Sequence, residues 1–407
     1  MIYHKIKFNY KKLLLYIVAF FVIYESGTIP SIVSINDLFI DKLLLFISVG
    51  IFSFLALKKR RNCECLFLWL LLFSCFVFIN IINSPETTFN LIYRLGIYIM
   101  IYLLLLYTFS KNIDFDILIC RVIVFFAITS LLIYCLVHFL GIQLPYSYFY
   151  LENGGLRYIS YFGIYFEQGY ANTQFGFSFY RMTGPFWEPG VCQIFLNYAL
   201  YRFLFKEKGN RIIIAILLID LFLTMSAAGW LCTICMLALI IVRTPRLSKK
   251  NKFFILVLMI IVGLFACYYV LSIKFAETYS NGGSAFIRIN DFLLALQLFI
   301  ENPIFGTGFG NTRAFELRNF FNNTNTLGSS NGLMTICYTT GIIGMIFVLY
   351  PFVMRLIKLR DKDRIVNYFY FFMIMFFNFV EPVYYFPFMM YLLAKEYLLV
   401  VKKFKSY

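Results

Sequence analysis

The sequence predicts an all-α polytopic integral membrane protein of about 12 transmembrane helices with two large outer loops. Three observations carry this reading. Hydrophobic residues make up 61% of the 407 and charged residues only 14%, against about 25% charged in an ordinary soluble domain. The apolar residues come in runs long enough to span a bilayer, such as Leu66 to Ile82, Ile117 to Leu140 and Phe253 to Leu271. Every second run ends in a basic cluster, at Lys5 to Lys12, Lys58 to Arg61, Arg202 to Arg211, Arg243 to Lys252, Arg355 to Arg364 and Lys402 to Lys405.

By the positive-inside rule these clusters, and both termini, lie in the cytoplasm. The net charge of +16 then reflects topology, since the outer segments are net acidic, and it does not point to nucleic acid as a partner. Spans are predicted to begin near residues 11, 38, 66, 91, 117, 190, 212, 228, 253, 332, 365 and 383. This divides the chain into membrane helices 1 to 5 (residues 1–140), a first outer loop (141–189), helices 6 to 9 (190–271), a second outer loop (272–331) and helices 10 to 12 (332–407).

Two elements are irregular. Glu25, Gly27 and Pro30 interrupt the first run, and between Arg211 and Arg243 the chain must cross twice or re-enter around Ala227 to Gly229. The first run lacks a small-residue cleavage site and reads as a span, not a signal peptide. Twelve spans of about 20 residues and two long loops leave no room for a cytoplasmic catalytic domain.

Little metal or nucleophile chemistry is legible. His4 and His138 are the two histidines, and neither stands beside a carboxylate or a cysteine at ligand spacing. No metal site and no cofactor are predicted. Cys232 and Cys235, on a membrane helix, read as small apolar filler. Asp114/Asp116 and Asp361/Asp363 each form a DxD, but among lysines and arginines in short inner turns they read as solvated loops. Asp220, deep in a span, is expected to bond neighbouring Thr or Ser groups.

The informative charges are on the outer side. The first loop ends Arg181-Met-Thr-Gly-Pro-Phe-Trp-Glu188-Pro189-Gly190. Pro189 suits a first helical position, so Glu188 is predicted at the cap of a helix, against its positive end. Arg181 and Glu188 either serve chemistry or pair to pin the loop. In the second loop, Phe286, Ile289, Phe292, Leu293, Leu296 and Ile300 recur at spacings of three and four, which predicts an amphipathic helix over 284–302 lying along the outer surface. Arg288, Asp291 and Asn302 fall off its apolar face. Between Gln143 and Tyr180 there are 14 Phe or Tyr in 38 residues, which suits either packing against sugar rings or an interfacial aromatic belt. Arg94, near the outer end of the fourth span, either binds an anionic partner or snorkels to headgroups.

Arg-x-x-Gly-x-x-x-Glu-Pro entering a span, an amphipathic outer helix followed by Asn302-Pro-Ile-Phe-Gly-Thr-Gly-Phe-Gly-Asn311, then Ser330-Asn331-Gly332 and Thr340-Gly341-Ile342-Ile343-Gly344, resemble the O-antigen polymerase and O-antigen ligase superfamily over roughly residues 180 to 350. Glu-Pro after the arginine leans toward Wzy-type repeat-unit polymerases. The resemblance implies a GT-C-like membrane glycosyltransferase of the bacterial cytoplasmic membrane, making O-antigen, capsule or exopolysaccharide. A growing glycan on polyprenyl diphosphate passes to the next lipid-linked repeat unit on the outer face. Membrane lipid, a chain-length regulator and a flippase are its implied partners. Relatives often carry His-Asn where this chain has Ser330-Asn331, so a histidine general base is not carried over.

That chemistry needs cations for the departing phosphates and a base for the acceptor hydroxyl. Arg181 and Arg288 are the catalytic clamp candidates, and Arg94, Arg157, Arg313 and Asn331 the substrate-binding ones. Glu188 is the expected base, although a helix N-terminus and a nearby arginine favour its charged form and make it a weaker one. Glu167 and Asp291 come next. A ligase moving finished glycan to another acceptor, and a non-enzymatic lipid-linked oligosaccharide flippase, remain as alternatives.

Single cysteines at Asn153 and Asn322, in an otherwise Cys-free protein, should react with impermeant thiol reagents from outside intact cells. Labelling that appears only once the inner side is opened would reverse the topology and remove the basis of the functional reading.

Overall fold

The computed structural model describes residues 10–33, 40–57, 64–151, 156–168, 172–174, 177–207, 209–245, 247–255, 257–259, 261, 268, 284–311, 331–358 and 364–404. Helices dominate: α1 (Tyr10–Tyr24), α2 (Ile29–Val33), α3 (Ile40–Leu57), α4 (Glu64–Asn83), α5 (Thr88–Ser110), α6 (Phe115–Tyr134), α7 (Pro189–Phe205), α8 (Arg211–Leu223), α9 (Ala227–Arg243), α10 (Ser284–Glu301), α11 (Gly332–Lys358), α12 (Arg364–Val380) and α13 (Pro387–Phe404). Among the described residues three helical stretches, Pro85–Ser110, Phe115–Phe139 and Gly332–Ile357, are long and apolar enough to cross a membrane, and shorter apolar helices accompany them. The run expected from residue 253 lies largely outside the described residues.

The bundle packs α3 and α13 against α5, α1 against α6, and α6, α8 and α9 around α7. Its centre is aromatic. Trp69 meets Tyr102 at 4.4 Å, Tyr397 at 5.1 Å and Tyr98 at 5.3 Å between ring centroids, all edge-on. Such pairs add about 0.5–1.5 kcal/mol each beyond the area they bury.

The segment between α6 and α7, expected as the first outer loop, departs from the all-helical expectation. After a π-helical turn at Cys135–Phe139, the chain forms an antiparallel sheet of β1 (Tyr146–Leu151), β2 (Leu156–Tyr161) and β3 (Tyr165–Gln168), followed by a hairpin of β4 (Asn172–Gln174) and β5 (Phe177–Phe179). Successive strand side chains face opposite ways. Tyr158 and Phe166 therefore pack with Ile29 and Trp187, while Ile159, Tyr161 and Tyr165 pack with Tyr134 of α6. Both faces of β2 and β3 are covered, so no polar face alternates with an apolar one there and these strands carry no amphipathic signature.

The second loop does carry the expected helix. On α10, Ile289, Phe292, Leu293, Leu296 and Ile300 are exposed, whereas Asp291 and Ala295 are buried toward α11. Helix α11 is broken at Gly341 (φ 64°, ψ −164°), and the segment after α10 enters the break. The Tyr338 and Thr339 carbonyls accept from the Thr307 and Gly308 amides at 2.7 and 3.1 Å, and the Ile342 and Ile343 amides donate to the Pro303 and Ile304 carbonyls at 2.8 and 3.4 Å. Four backbone groups at the break thus find partners in the loop. That is the condition for irregular backbone at membrane depth. Backbones cross so closely that a Cβ on Gly341 would overlap the Ile304 carbonyl, and one on Gly306 (φ 73°) the Thr339–Thr340 peptide.

Gly341→Ala should therefore lower thermal stability in detergent by about 2 kcal/mol or more, from a left-handed φ plus steric overlap. Gly96→Ala in α5, where an added Cβ meets nothing within 4 Å, should stabilise by about 0.5–1 kcal/mol. Equal melting temperatures for the two variants would contradict the inserted-loop geometry.

Candidate functional site

Three separated stretches of chain meet at one end of the bundle. The 25–29 turn after α1 receives the segment that leads into α7: the Trp187 amide donates to the Gly27 carbonyl at 3.2 Å and the Ile29 amide to the Pro185 carbonyl at 2.9 Å. Tyr158 Oη from β2 donates to the Trp187 carbonyl at 2.7 Å. Glu188 stands at the N-cap of α7 with extended backbone and Pro189 in the first turn, and its side chain makes no capping hydrogen bond. It is half-buried.

The third stretch is Glu381-Pro382, between α12 and α13. The Glu381 carboxylate, 4% exposed, lies against Gly190 in the first turn of α7, where any Cβ would overlap it. The Glu381 carbonyl sits where a Cβ on Gly332 would be 2.7 Å away, at the start of α11. Asn331 caps that helix, its Oδ1 accepting from the Met334 amide at 3.1 Å. The N-terminus of α7, with partial positive charge, thus meets the Glu381 carboxylate, and that of α11 meets the backbone of the same turn. Glu381-Pro382 repeats the dipeptide of Glu188-Pro189.

Arg94 joins this arrangement from α5. Its Nη1 donates to the Tyr385 carbonyl at 3.0 Å and its Nε to Asn90 Oδ1 at 3.1 Å. The guanidinium lies 4.3 Å from the Tyr385 ring centroid and 5.6 Å from that of Phe309. The side chain is thus held by protein groups, and snorkelling does not describe it. Phe309 is itself fixed by Asn80 Oδ1, which accepts from its amide at 2.6 Å, and by Thr87 Oγ1, which donates to its carbonyl at 2.5 Å.

The other expected site residues fall elsewhere. Arg181 donates from Nε to the Thr224 carbonyl at 3.1 Å and from Nη2 to that of Met225 at 3.2 Å, tying its loop to the α8–α9 turn. Arg157 lies on β2 opposite Tyr150 and Arg288 on α10, with side chains outside the description. Arg313 lies outside the described residues, as do Asp361 and Asp363. Among the described residues no group of three His, Cys, Asp or Glu could hold a metal ion.

Three expectations need correction. His138 has no carboxylate near it in sequence, yet its Nε2 is 2.6 Å from Glu167 Oε2, because β3 folds back onto the end of α6. Asp116 is not a solvated loop residue. It is 5% exposed and accepts from Tyr198 Oη at 2.9 Å, from Arg202 at 3.2 Å, and from Tyr391 and Lys395, beside a cavity of about 440 Å³ at the other end of α6. Asp220 bonds no Thr or Ser. Fully buried, it has neither carboxylate oxygen hydrogen-bonded among the described residues, since Thr224 Oγ1 donates instead to the Leu221 carbonyl.

Residues 212–349, about a third of the chain, match the family model described as O-antigen ligase. The match supports the resemblance to the O-antigen ligase and polymerase superfamily, a function of that general kind and a place in a membrane. It contains α10, the inserted loop, Asn331 and Gly341, and leaves out Arg181 to Pro189. No curated protein matches the chain.

Glu381→Gln should lower stability in detergent by about 1 kcal/mol, the loss of a charge beside the N-terminus of α7. An unchanged melting temperature would mean that the dipoles do not hold the carboxylate.

Proposed function

We propose that the protein is a polysaccharide polymerase that extends a glycan held on polyprenyl diphosphate by transferring it to the next lipid-linked repeat unit at the outer face of the membrane, without a metal ion. The convergence of α7, α11 and Arg94 on the Glu381–Tyr385 turn carries this reading. It gathers positive helix ends and a guanidinium beside a membrane-surface helix, α10, whose exposed apolar face suits a polyprenyl chain.

In this reading the two diphosphate groups face Arg94 and Arg288. A guanidinium offers two parallel bonds to phosphate and stays charged as the leaving group departs. Arg181, with Nε and Nη2 committed to backbone carbonyls, holds the loop that places Glu188. Glu188, at a helix N-terminus, orients the acceptor hydroxyl and is poorly suited to remove its proton. Arg157, Arg313 and Asn331 are the further substrate-binding candidates. Diphosphate is a good leaving group, so no general acid is required.

A ligase would share the clamp and differ in its acceptor. Glu188-Pro189 after Arg181, the polymerase-like form of the motif, favours the polymerase.

The test is polymer formation in proteoliposomes given lipid-linked repeat units. Arg94→Ala and Arg288→Ala should each cut the rate by about 100-fold at unchanged protein level, and lysine should restore little, because a point charge does not reproduce the fork. Normal ladders from Arg94→Ala would remove that residue from the site.

A further inference from the structure

The first outer loop builds a second polar centre around His138. Its Nε2 meets Glu167 Oε2 at 2.6 Å, and Glu167 Oε1 accepts from Tyr161 Oη at 3.1 Å. Glu167 is 2% exposed and the His138 side chain 16% exposed. The imidazole stacks on the Tyr180 ring (centroids 4.7 Å, 20° between planes) and meets Tyr134 at 4.7 Å, while Tyr134 Oη donates to the Tyr180 carbonyl at 3.0 Å. Burial, and then the charge of Glu167, push the Tyr161 hydroxyl well above its usual range, so it stays a donor to the carboxylate.

With a carboxylate oxygen against Nε2, the neutral imidazole carries its proton there and offers Nδ1 as the acceptor. Nδ1 has no hydrogen-bond partner among the described residues. Next to Tyr161 stand two exposed rings: Tyr146 and Tyr148 are 57% and 42% exposed, with Tyr146 6.3 Å from the Tyr161 ring. Flat exposed rings beside a polar centre suit the faces of pyranose rings. The pair also adjoins the loop into α7, since the Phe166 amide donates to the Gly184 carbonyl at 2.8 Å and Thr183 Oγ1 to that of Phe166.

We propose that His138, oriented by Glu167, is the general base of the transfer and that the Tyr146–Tyr148 surface is the acceptor-sugar subsite. This rests on the polymerase reading. The acceptor hydroxyl gives its proton to His138 Nδ1 as its oxygen bonds the donor's anomeric carbon. The bond from that carbon to the diphosphate oxygen breaks, and polyprenyl diphosphate leaves with the electron pair. Glu167 stabilises the imidazolium formed, and water then takes the proton. Glu167 is a positioning residue, and the histidine is supplied from a segment other than the Ser330-Asn331 position.

The experiment uses purified full-length protein in proteoliposomes with lipid-linked repeat units extracted from cells lacking it. His138→Ala should lose about 100-fold or more of the polymerisation rate while half-saturation by the lipid-linked substrate moves less than about threefold, the signature of an interaction made only in the transition state. Added imidazole should recover about tenfold of that loss in His138→Ala and nothing in Glu188→Gln. Glu167→Gln should fall between parent and His138→Ala. A parent-like rate for His138→Ala overturns the assignment, as does a loss that imidazole does not repair or one matched by weakened half-saturation. Polymer from the parent with either of these results leaves the polymerase reading standing, whereas a parent that makes no polymer overturns both.

Discussion

The arrangement depends on the exchange of hydrogen bonds where the loop after α10 enters the break in α11. A helix interrupted within a membrane leaves amides and carbonyls that cost several kcal/mol each if unmet. Here Pro303, Ile304, Thr307 and Gly308 meet them, and glycine at 341 and 306 is what lets the two backbones approach. Because the same loop continues to Phe309, whose ring covers Arg94, the satisfied break also sets the position of a guanidinium in another helix. Packing, backbone hydrogen bonding and the candidate site are thus one construction.

The ends of the bundle differ in how they treat charge. At one end Asp116 is surrounded by four donors from α7 and α13, and Arg355 is answered by Glu396; such closed networks fix helix positions. At the other, Glu381 lies against the first turn of α7, and His138 Nδ1 has no hydrogen-bond partner among the described residues. Asp220 belongs to neither end, and neither of its carboxylate oxygens is hydrogen-bonded among the described residues.

Much of the helical frame was legible because hydrophobic runs and caps are local signals. Pro189 after Glu188 announced the start of α7, and the three-and-four spacing from Ile289 to Ile300 announced α10 and its exposed face. The sheet was not legible from alternation, since both faces of β2 and β3 are buried, although Asn153-Gly154 between two aromatic runs is a hairpin signal that composition masked. The His138–Glu167 pair, 29 residues apart, exists only through that sheet. Glu381 was missed for another reason: its Glu-Pro stands between two apolar runs, where nothing local marks proximity to α7 and α11.

The account's central claim is that sugar moves from a diphosphate lipid to another lipid-linked sugar at the outer face. The most direct measurement is mass spectrometry of proteoliposomes supplied with a single kind of lipid-linked repeat unit. The account predicts glycans longer by whole repeat units, with one polyprenyl diphosphate released for each linkage made. Lipid-linked units that cross the bilayer unchanged, or release of the carrier lipid without glycan lengthening, would contradict it.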